Sequence, residues 1–397
     1  MTAKEYHNEF LRQIRMAPET VVHMGKQITP EYFDTIFAPG ELKKVNRVIL
    51  TGCGDSYCAA LVAKPVFENI QTSSTTGMVP GTRTEAERCI EFTRYYDTYH
   101  QFWLSGTNRV NAMVCGVSIS GSVKRVEEAM LRCNKYNGIS VAFTDNPDSG
   151  FSKAAKHSVR LNVPPTSHAP GLTSYIASCY GLTHFGLYFS TQRGQMSKAN
   201  AAGQSAAMQR YAAQYTPQLM EKLEEQALAL SKRWIEQGVD LMDFIGDGAD
   251  YATAFFGSAK MVESFGGLTT YDDSEDWNHI NYFNRTPEKV GTFVVCNEDS
   301  PSFHRVIETI RTAVALGRPT AVITNASPAY FPAACEVFQL PKAEYRWCNP
   351  LMQHIPMDYV AAFTGLLKDI PDFRPDSPVH QLDANAARFR QSEIVIV

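Results

Sequence analysis

Apolar and polar positions follow two recurring rhythms along this chain. The mostly apolar runs "VNRVIL" (45–50), the core of "NAMVCGVSIS" (111–120), "ISVAFTDN" (139–146) and "HSVRLNV" (157–163) are short and read as strands. Between them "VKRVEEAMLRCNKYN" (123–137) places Val126, Ala129, Met130 and Cys133 on one helical face. Strand followed by amphipathic helix, repeated, predicts βαβ units around a parallel sheet from residue 45 to about 190.

The flanks read differently. Over residues 1–44, a capping box at Thr2 and Glu5, then Phe10, Leu11 and Ile14 at helical spacing, predict a helical opening. Pro18 marks a break or a second helix start. Residues 195–240, rich in Ala, Gln, Glu and Lys, read as one or two long connecting helices. The earlier pattern then returns. "LMDFIGDGADYATAFFGSAKMVE" (241–263) repeats "RVILTGCGDSYCAALVAKPVFE" (47–68), and "TFVVCNEDSPSFHRVIETIRTAVALGRPTAVITN" repeats "AMVCGVSISGSVKRVEEAMLRCNKYNGISVAFTD". The two halves are weakly alike but in the same order, as expected of a duplicated α/β domain.

Composition changes this picture little. The chain has 397 residues, 44% hydrophobic and 20% charged, with a net charge of −4, so there is no electrostatic case for nucleic acid or an anionic membrane. No apolar run is long enough to span a bilayer, and the polar start "MTAKEYHNEF" lacks a signal peptide's apolar core. Nine scattered cysteines without C-x-x-C spacing argue against disulfides and zinc, and point to a reducing cytoplasm. No metal or cofactor is expected.

The candidate chemistry sits in the turns. In "TGCGDSY", Gly52 and Gly54 bracket a tight turn between strand and helix, where outward backbone N–H groups and the helix dipole favour an anion. Tyr57 stands where a dinucleotide fingerprint has its third glycine. "SISGS" presents Ser118, Ser120, Ser122 and Gly121 directly after a strand, a cradle suited to phosphate. The matching place in the second half reads "NEDSPS", where Glu298 and Asp299 would repel phosphate. Only the first half is expected to hold the anion.

"GCGDSY", "SISGS" and "AFTDNPDS" together resemble the signature of the sugar isomerase (SIS) domain, and the chain from about residue 10 to its end resembles the double-SIS proteins. That family includes the isomerase half of glucosamine-6-phosphate synthase, phosphosugar isomerases, deaminases and fructosamine-6-phosphate deglycases. The resemblance implies an α/β fold with two tandem SIS domains, each a three-layer αβα unit with a parallel sheet. It implies a helical segment at 1–44, a phosphate-binding domain at 45–215, a domain carrying the catalytic pair at 216–370 and a tail at 371–397.

By the same resemblance Ser56, Ser118 and Ser120 match phosphate-binding serines, with Gly54 in the turn and Ser122 substituting where Val123 replaces a common threonine. Cys53, Asp55, Thr173 and Ser174 are implied sugar contacts, and His168 a further candidate. "FGSAKMVE" matches the synthase-type helix, with Glu263 as base and Lys260 supporting it. His279, sixteen residues on, matches the histidine that assists ring opening. The tail has Arg388, Arg390 and Gln391 but no lysine, unlike the synthase's Schiff-base tail.

A carboxylate that takes a proton from one carbon and returns it to the next serves carbonyl movement between C1 and C2. The implied activity is deglycation or deamination of an amino-linked hexose 6-phosphate, with aldose–ketose isomerisation as the alternative. A non-catalytic sugar-phosphate sensor is the reading of another class. A homodimer or larger assembly with shared sites is implied, because in relatives the histidine loop reaches a neighbouring subunit.

Overall fold

The computed structural model describes residues 2–68, 82–102, 111–371 and 390–397. These form two units, each built on a five-stranded, all-parallel sheet. Arg388 lies outside the described residues.

The first sheet contains β1 (Arg47–Gly52), β2 (Arg83–Arg88), β3 (Ala112–Val117), β4 (Ile139–Thr144) and β5 (His157–Arg160), in the order β2-β1-β3-β4-β5. Its unit comprises residues 20–164, 174–209 and 383–397. Every residue of β1 and β3 is buried, as expected for parallel strands covered on both faces. Helix α4 (Asp55–Phe67) follows β1, α6 (Lys124–Lys135) follows β3, and the single turn α7 (Gly150–Ala154) follows β4. Val126, Ala129, Met130 and Cys133 of α6 all enter the core, with Ile49, Val114 and Phe151. Most of α2 (Ala17–Gln27), α3 (Pro30–Asp34), α5 (Thr98–Phe102), α8 (Leu172–Gln192) and α9 (Lys198–Ala213) complete this unit.

The second sheet contains β6 (Leu241–Ile245), β7 (Leu268–Asp272), β8 (Val290–Val295), β9 (Thr320–Thr324) and β10 (Glu336–Gln339), in the order β10-β9-β8-β6-β7. Read from β7, this is the topology of the first sheet, strand for strand. Its helices are α10 (Pro217–Glu236), α11 (Ala249–Phe265), α12 (Ser274–His279), α13 (Phe303–Ala315) and α14 (Ile355–Leu367).

Residues 1–19 belong to this second unit, although they precede the first sheet. Helix α1 (Glu9–Arg15) packs on α14, Tyr6 stacks edge-on against Phe363 at 5.7 Å, and Arg15 pairs with Glu224 at 2.5 Å. The box at Thr2 and Glu5 closes only one 3-10 turn; the α-helix starts later, with Asn8 accepting from the Leu11 N–H. Helix α2 starts at Ala17, with Pro18 in its first turn, where a missing N–H costs nothing.

Candidate functional site

Open parallel sheets bind ligands at the carboxyl ends of strands where the strand order reverses, and here that point lies between β1 and β3. Both candidate loops of the first unit emerge there. After β1 the chain turns through Gly52 and Gly54. Gly54 adopts φ 55°, ψ −126°, a left-handed conformation open to glycine at little cost. A Cβ on Gly52 would meet the Ser56 backbone at 2.7 Å, so the helix start can close this tightly only over glycine. Ser56 and Asp55 are partly buried in the first turn of α4, and Cys53 is exposed between the two glycines.

After β3 the serine loop is held from the next strand end. The Ser118 N–H donates to Phe143 O at 3.0 Å, Thr144 Oγ1 to Ile119 O at 3.1 Å, and Asn146 Nδ2 to Ser120 O at 3.3 Å. Gly121 has φ 63°, and a Cβ there would strike Ser149 Oγ at 2.2 Å. The "AFTDNPDS" segment therefore clamps the loop above it. Ser120 Oγ and Ser122 Oγ face each other at 2.8 Å, with Ser120 exposed, Ser122 partly buried and Ser118 buried. The loop presents hydroxyls and no carboxylate.

The second unit repeats the backbone and changes the side chains. Gly248 has φ 60°, ψ −120°, nearly the values of Gly54, and a Cβ on Gly246 would meet Asp250 O at 2.4 Å. Asp250 takes the place of Ser56. It is buried, and accepts from Asn297 Nδ2 at 3.0 Å and Gln353 Nε2 at 2.9 Å. Burial pushes its carboxyl up to about 7, with the Gln353 and Asn297 hydrogen bonds holding it back. Beyond β8, Asp299 accepts from Asn325 Nδ2 at 3.1 Å, and Glu298 pairs with Lys342 at 3.0 Å. Two acidic side chains thus occupy the place of the serine loop.

Glu263 and Lys260 lie on α11, the helix that follows this second turn. The Lys260 side chain is fully buried; its Nζ lies 2.5 Å from Glu263 Oε2 and 4.7 Å from the Phe256 ring. The Glu263 side chain is 44% exposed, so the pair holds a surface carboxylate on a buried ammonium. Phe256 packs edge-on at 5.3 Å against His354, which pairs with Asp358 at 2.5 Å; neither member of that pair is exposed. Burial pushes the Asp358 carboxyl up, while His354 and Lys260 pull it down.

His279 ends α12, its side chain 71% exposed and 3.4 Å from Glu275. Trp277 is buried and donates to Asp243 at 3.1 Å, beneath Arg318, which also pairs with Asp243. Trp277 is therefore core. The carboxylates of Asp272, Asp273 and Asp276 lie within 4.8 Å of one another; Asp273 caps α12 through Glu275 N and Asp276 N, which is reason enough for its presence. Thr173 is 1% exposed, with its hydroxyl 3.4 Å from Gln13 Oε1, while Ser174 is partly buried and His168 exposed.

Sequence reasoning missed Asp250, Asn297, Gln353, His354 and Asp358. The first could have been found from "GDGADY" against "GCGDSY", which puts a carboxylate on the duplicate of Ser56. The last two sit four residues apart, an i,i+4 pair on one helical face.

No family model matches the chain. It is 26% identical over 163 residues to N-acetylmuramic acid 6-phosphate etherase 1 of Bacillus licheniformis, covering 40% of this chain and 53% of that protein. It is 22% identical over 270 residues to glutamine–fructose-6-phosphate aminotransferase (isomerizing) of Clostridium tetani, covering 65% of this chain and 40% of that one. The chain thus spans about half the length of these relatives or less. The C-terminal domain of glucosamine-fructose-6-phosphate aminotransferase from Francisella tularensis superposes with a TM-score of 0.75 at 16% identity, over 94% of this chain and 100% of that one. Glucosamine-6-phosphate deaminase from Thermotoga maritima superposes with 0.62 at 14% identity, over 93% and 98%. With two sheets of one topology and these likenesses, the chain has an α/β fold of two tandem units that matches SIS domains.

Proposed function

We propose that the protein is an enzyme that moves a proton between C1 and C2 of a hexose 6-phosphate bearing nitrogen, leading to deglycation or deamination. The observation that carries this is Glu263, an accessible carboxylate held by the buried Lys260, in a chain whose first unit offers a hydroxyl-lined anion loop. The names of the similar proteins, an etherase, an aminotransferase and a deaminase of 6-phosphosugars, agree with the substrate class.

In this reading Ser56, Ser118, Ser120 and Ser122, with the Gly54 turn, bind the phosphate. Cys53, Asp55, Thr173 and Ser174 line the sugar, although Thr173 can reach it only by giving up its contact with Gln13. Glu263 removes the C1 proton of a 6-phosphofructosamine, and the C–H pair becomes the C1–C2 double bond of an enaminol. Protonation at C2 then leaves a C1 imine, which water hydrolyses to an amine and an aldose 6-phosphate. His279 moves the ring-oxygen proton. The protein acts as at least a dimer, a reading supported by the exposed apolar side chains flanking His279 in the chain: Leu268, Ile280 and Phe283, 70%, 62% and 71% exposed. Aldose–ketose isomerisation uses the same proton transfers and is the second reading, favoured by the isomerizing aminotransferase among the relatives.

The test is deuterium incorporation at C1 and C2 in D2O, over a panel of hexose 6-phosphates, their 2-amino forms and 6-phosphofructosamines. Exchange only on nitrogen-bearing sugars, lost in Glu263→Gln, is the expected result. Exchange on plain ketoses selects isomerisation, and binding without exchange selects the sensor. Light scattering checks the assembly; an active monomer contradicts shared sites.

A further inference from the structure

The register of β1 and β2 brings two cysteines together at the first glycine turn. Thr51 pairs with Glu87 and Gly52 with Arg88, so the next residues, Cys53 and Cys89, leave neighbouring strands side by side. Adjacent strands lie about 4.8 Å apart, within the Cα separation of about 4.4–6.8 Å that a disulfide bridges. The strand tips are fastened there by Thr51 Oγ1 donating to Glu87 O at 2.8 Å and by Arg88 over the Tyr57 ring at 5.0 Å. The two thiols lie close enough to bias each other's ionisation. Cys53 is exposed to small reagents, whereas Cys89 is 2% exposed.

We propose that Cys53 and Cys89 are a peroxide-responsive dithiol whose closure to a disulfide disables the first glycine turn. Three features set the order of events. The neighbouring Cys89 thiol holds the Cys53 thiol below its ordinary range, with burial opposing and the Arg125 charge adding to the effect. The same proximity and burial push Cys89 well above its ordinary range. The other candidate pair in this core, Cys115 and Cys133, is fully buried, with both thiols raised by burial.

The Cys53 thiolate attacks one oxygen of hydrogen peroxide; the S–O bond forms, the O–O bond breaks, and the departing hydroxide leaves as water. Cys89 sulfur then attacks the Cys53 sulfenic acid, the S–S bond forms, and the hydroxyl leaves with the Cys89 proton as a second water. Two thiols are oxidised by two electrons and one peroxide is reduced to two waters. The new bond withdraws Cys53 from the turn and ties the residue before Gly54 to the tip of β2.

The effect on binding rests on the anion-turn reading above; the cross-link itself does not. The reduced full-length chain is treated with hydrogen peroxide, alkylated, and mapped by mass spectrometry without reduction. The expected product is a Cys53–Cys89 linked peptide pair, with glucosamine 6-phosphate binding weakened at least about tenfold and restored by dithiothreitol. Cys89→Ser binds as the wild type when reduced and traps Cys53 as a dimedone adduct; Cys53→Ser, a second variant, forms neither product. Absence of the linked pair, or a different pairing, overturns the proposal. A linked protein that binds as before overturns the disabling of the turn. If the reduced protein binds no phosphosugar in the panel, the functional reading fails, and the peptide map still decides the dithiol.

Discussion

The two glycine turns share a backbone and differ in charge. Gly54 and Gly248 adopt the same left-handed conformation within about 6°, and Gly52 and Gly246 are forced by the same close approach of the following helix. Yet one turn leads to Ser56 and a loop of serine hydroxyls, while the other leads to the buried Asp250 and a loop carrying Glu298 and Asp299. A helix N-terminus attracts negative charge whatever its source. In the proposed reading the first unit leaves that charge to a ligand, whereas the second supplies it from its own side chains. The two units share a scaffold, because the tight turn tolerates little backbone variation, and differ in the side chains that it carries.

The sharpest separation of the two halves comes from Glu263→Gln, which removes the proposed base. Proton exchange should fall about 10²- to 10⁴-fold, as for loss of a general base. Because the change also removes this carboxylate from the fully buried Lys260 ammonium, the unfolding midpoint should fall as well, as read by calorimetry, and exchange is compared well below it. The Ser118→Ala/Ser120→Ala double variant tests the anion turn. Each lost hydrogen bond to a charged group is worth about 1.5–3 kcal/mol, so phosphosugar affinity should fall at least about tenfold in a titration. A Ser300→Ala/Ser302→Ala variant in the corresponding loop of the second unit, whose hydroxyls face each other at 3.1 Å as those of Ser120 and Ser122 do at 2.8 Å, should leave affinity unchanged. Equal losses in both would erase the distinction between the turns.

Asp250→Asn probes the second turn through pH. The folded carboxyl titrates at about 7 against an ordinary 3.8. The folded state therefore holds that proton more tightly; this contribution to stability is complete below about pH 3.8 and is lost as pH rises through 7. Asparagine keeps the acceptor oxygen and has no proton to lose. The variant should match the wild type near pH 4 and exceed it by roughly 1–4 kcal/mol above pH 7, at about 1.4 kcal/mol per pKa unit. Denaturant unfolding at both pH values checks this, and a gap that does not widen with pH would refute it. The smallest effect is expected of Gly54→Ala and Gly248→Ala, each losing about 1–3 kcal/mol of stability to backbone strain. Only Gly54→Ala should also weaken phosphosugar binding.

The elements legible in the sequence were the buried ones. The apolar runs of β1, β3, β4 and β8 and the amphipathic face of α6 announce themselves, because parallel strands and core helices need continuous apolar contact. The edge strand β5 could still be read from "HSVRLNV", but the edge strand β2 was not legible: "RTEAER" has one buried residue and four charged ones. An edge strand takes its hydrogen bonds from its neighbour and needs little apolar content of its own. Of the site, the turns and their serines could be read because glycine and hydroxyl spacing is local. The buried Asp250 network and the His354–Asp358 pair could not, since their partners come from distant segments.

Sequence alone determined the strand–helix alternation, the duplicated glycine turns, the hydroxyl loop in one half and the acidic loop in the other, all of which arise within a few residues. Tertiary structure alone decided that residues 1–19 join the second sheet, that Lys260 is buried beneath Glu263, and that Cys53 meets Cys89 across a parallel register. Those choices depend on which surfaces meet after collapse. Contacts between residues far apart in the chain leave no period or spacing by which a single sequence could declare them.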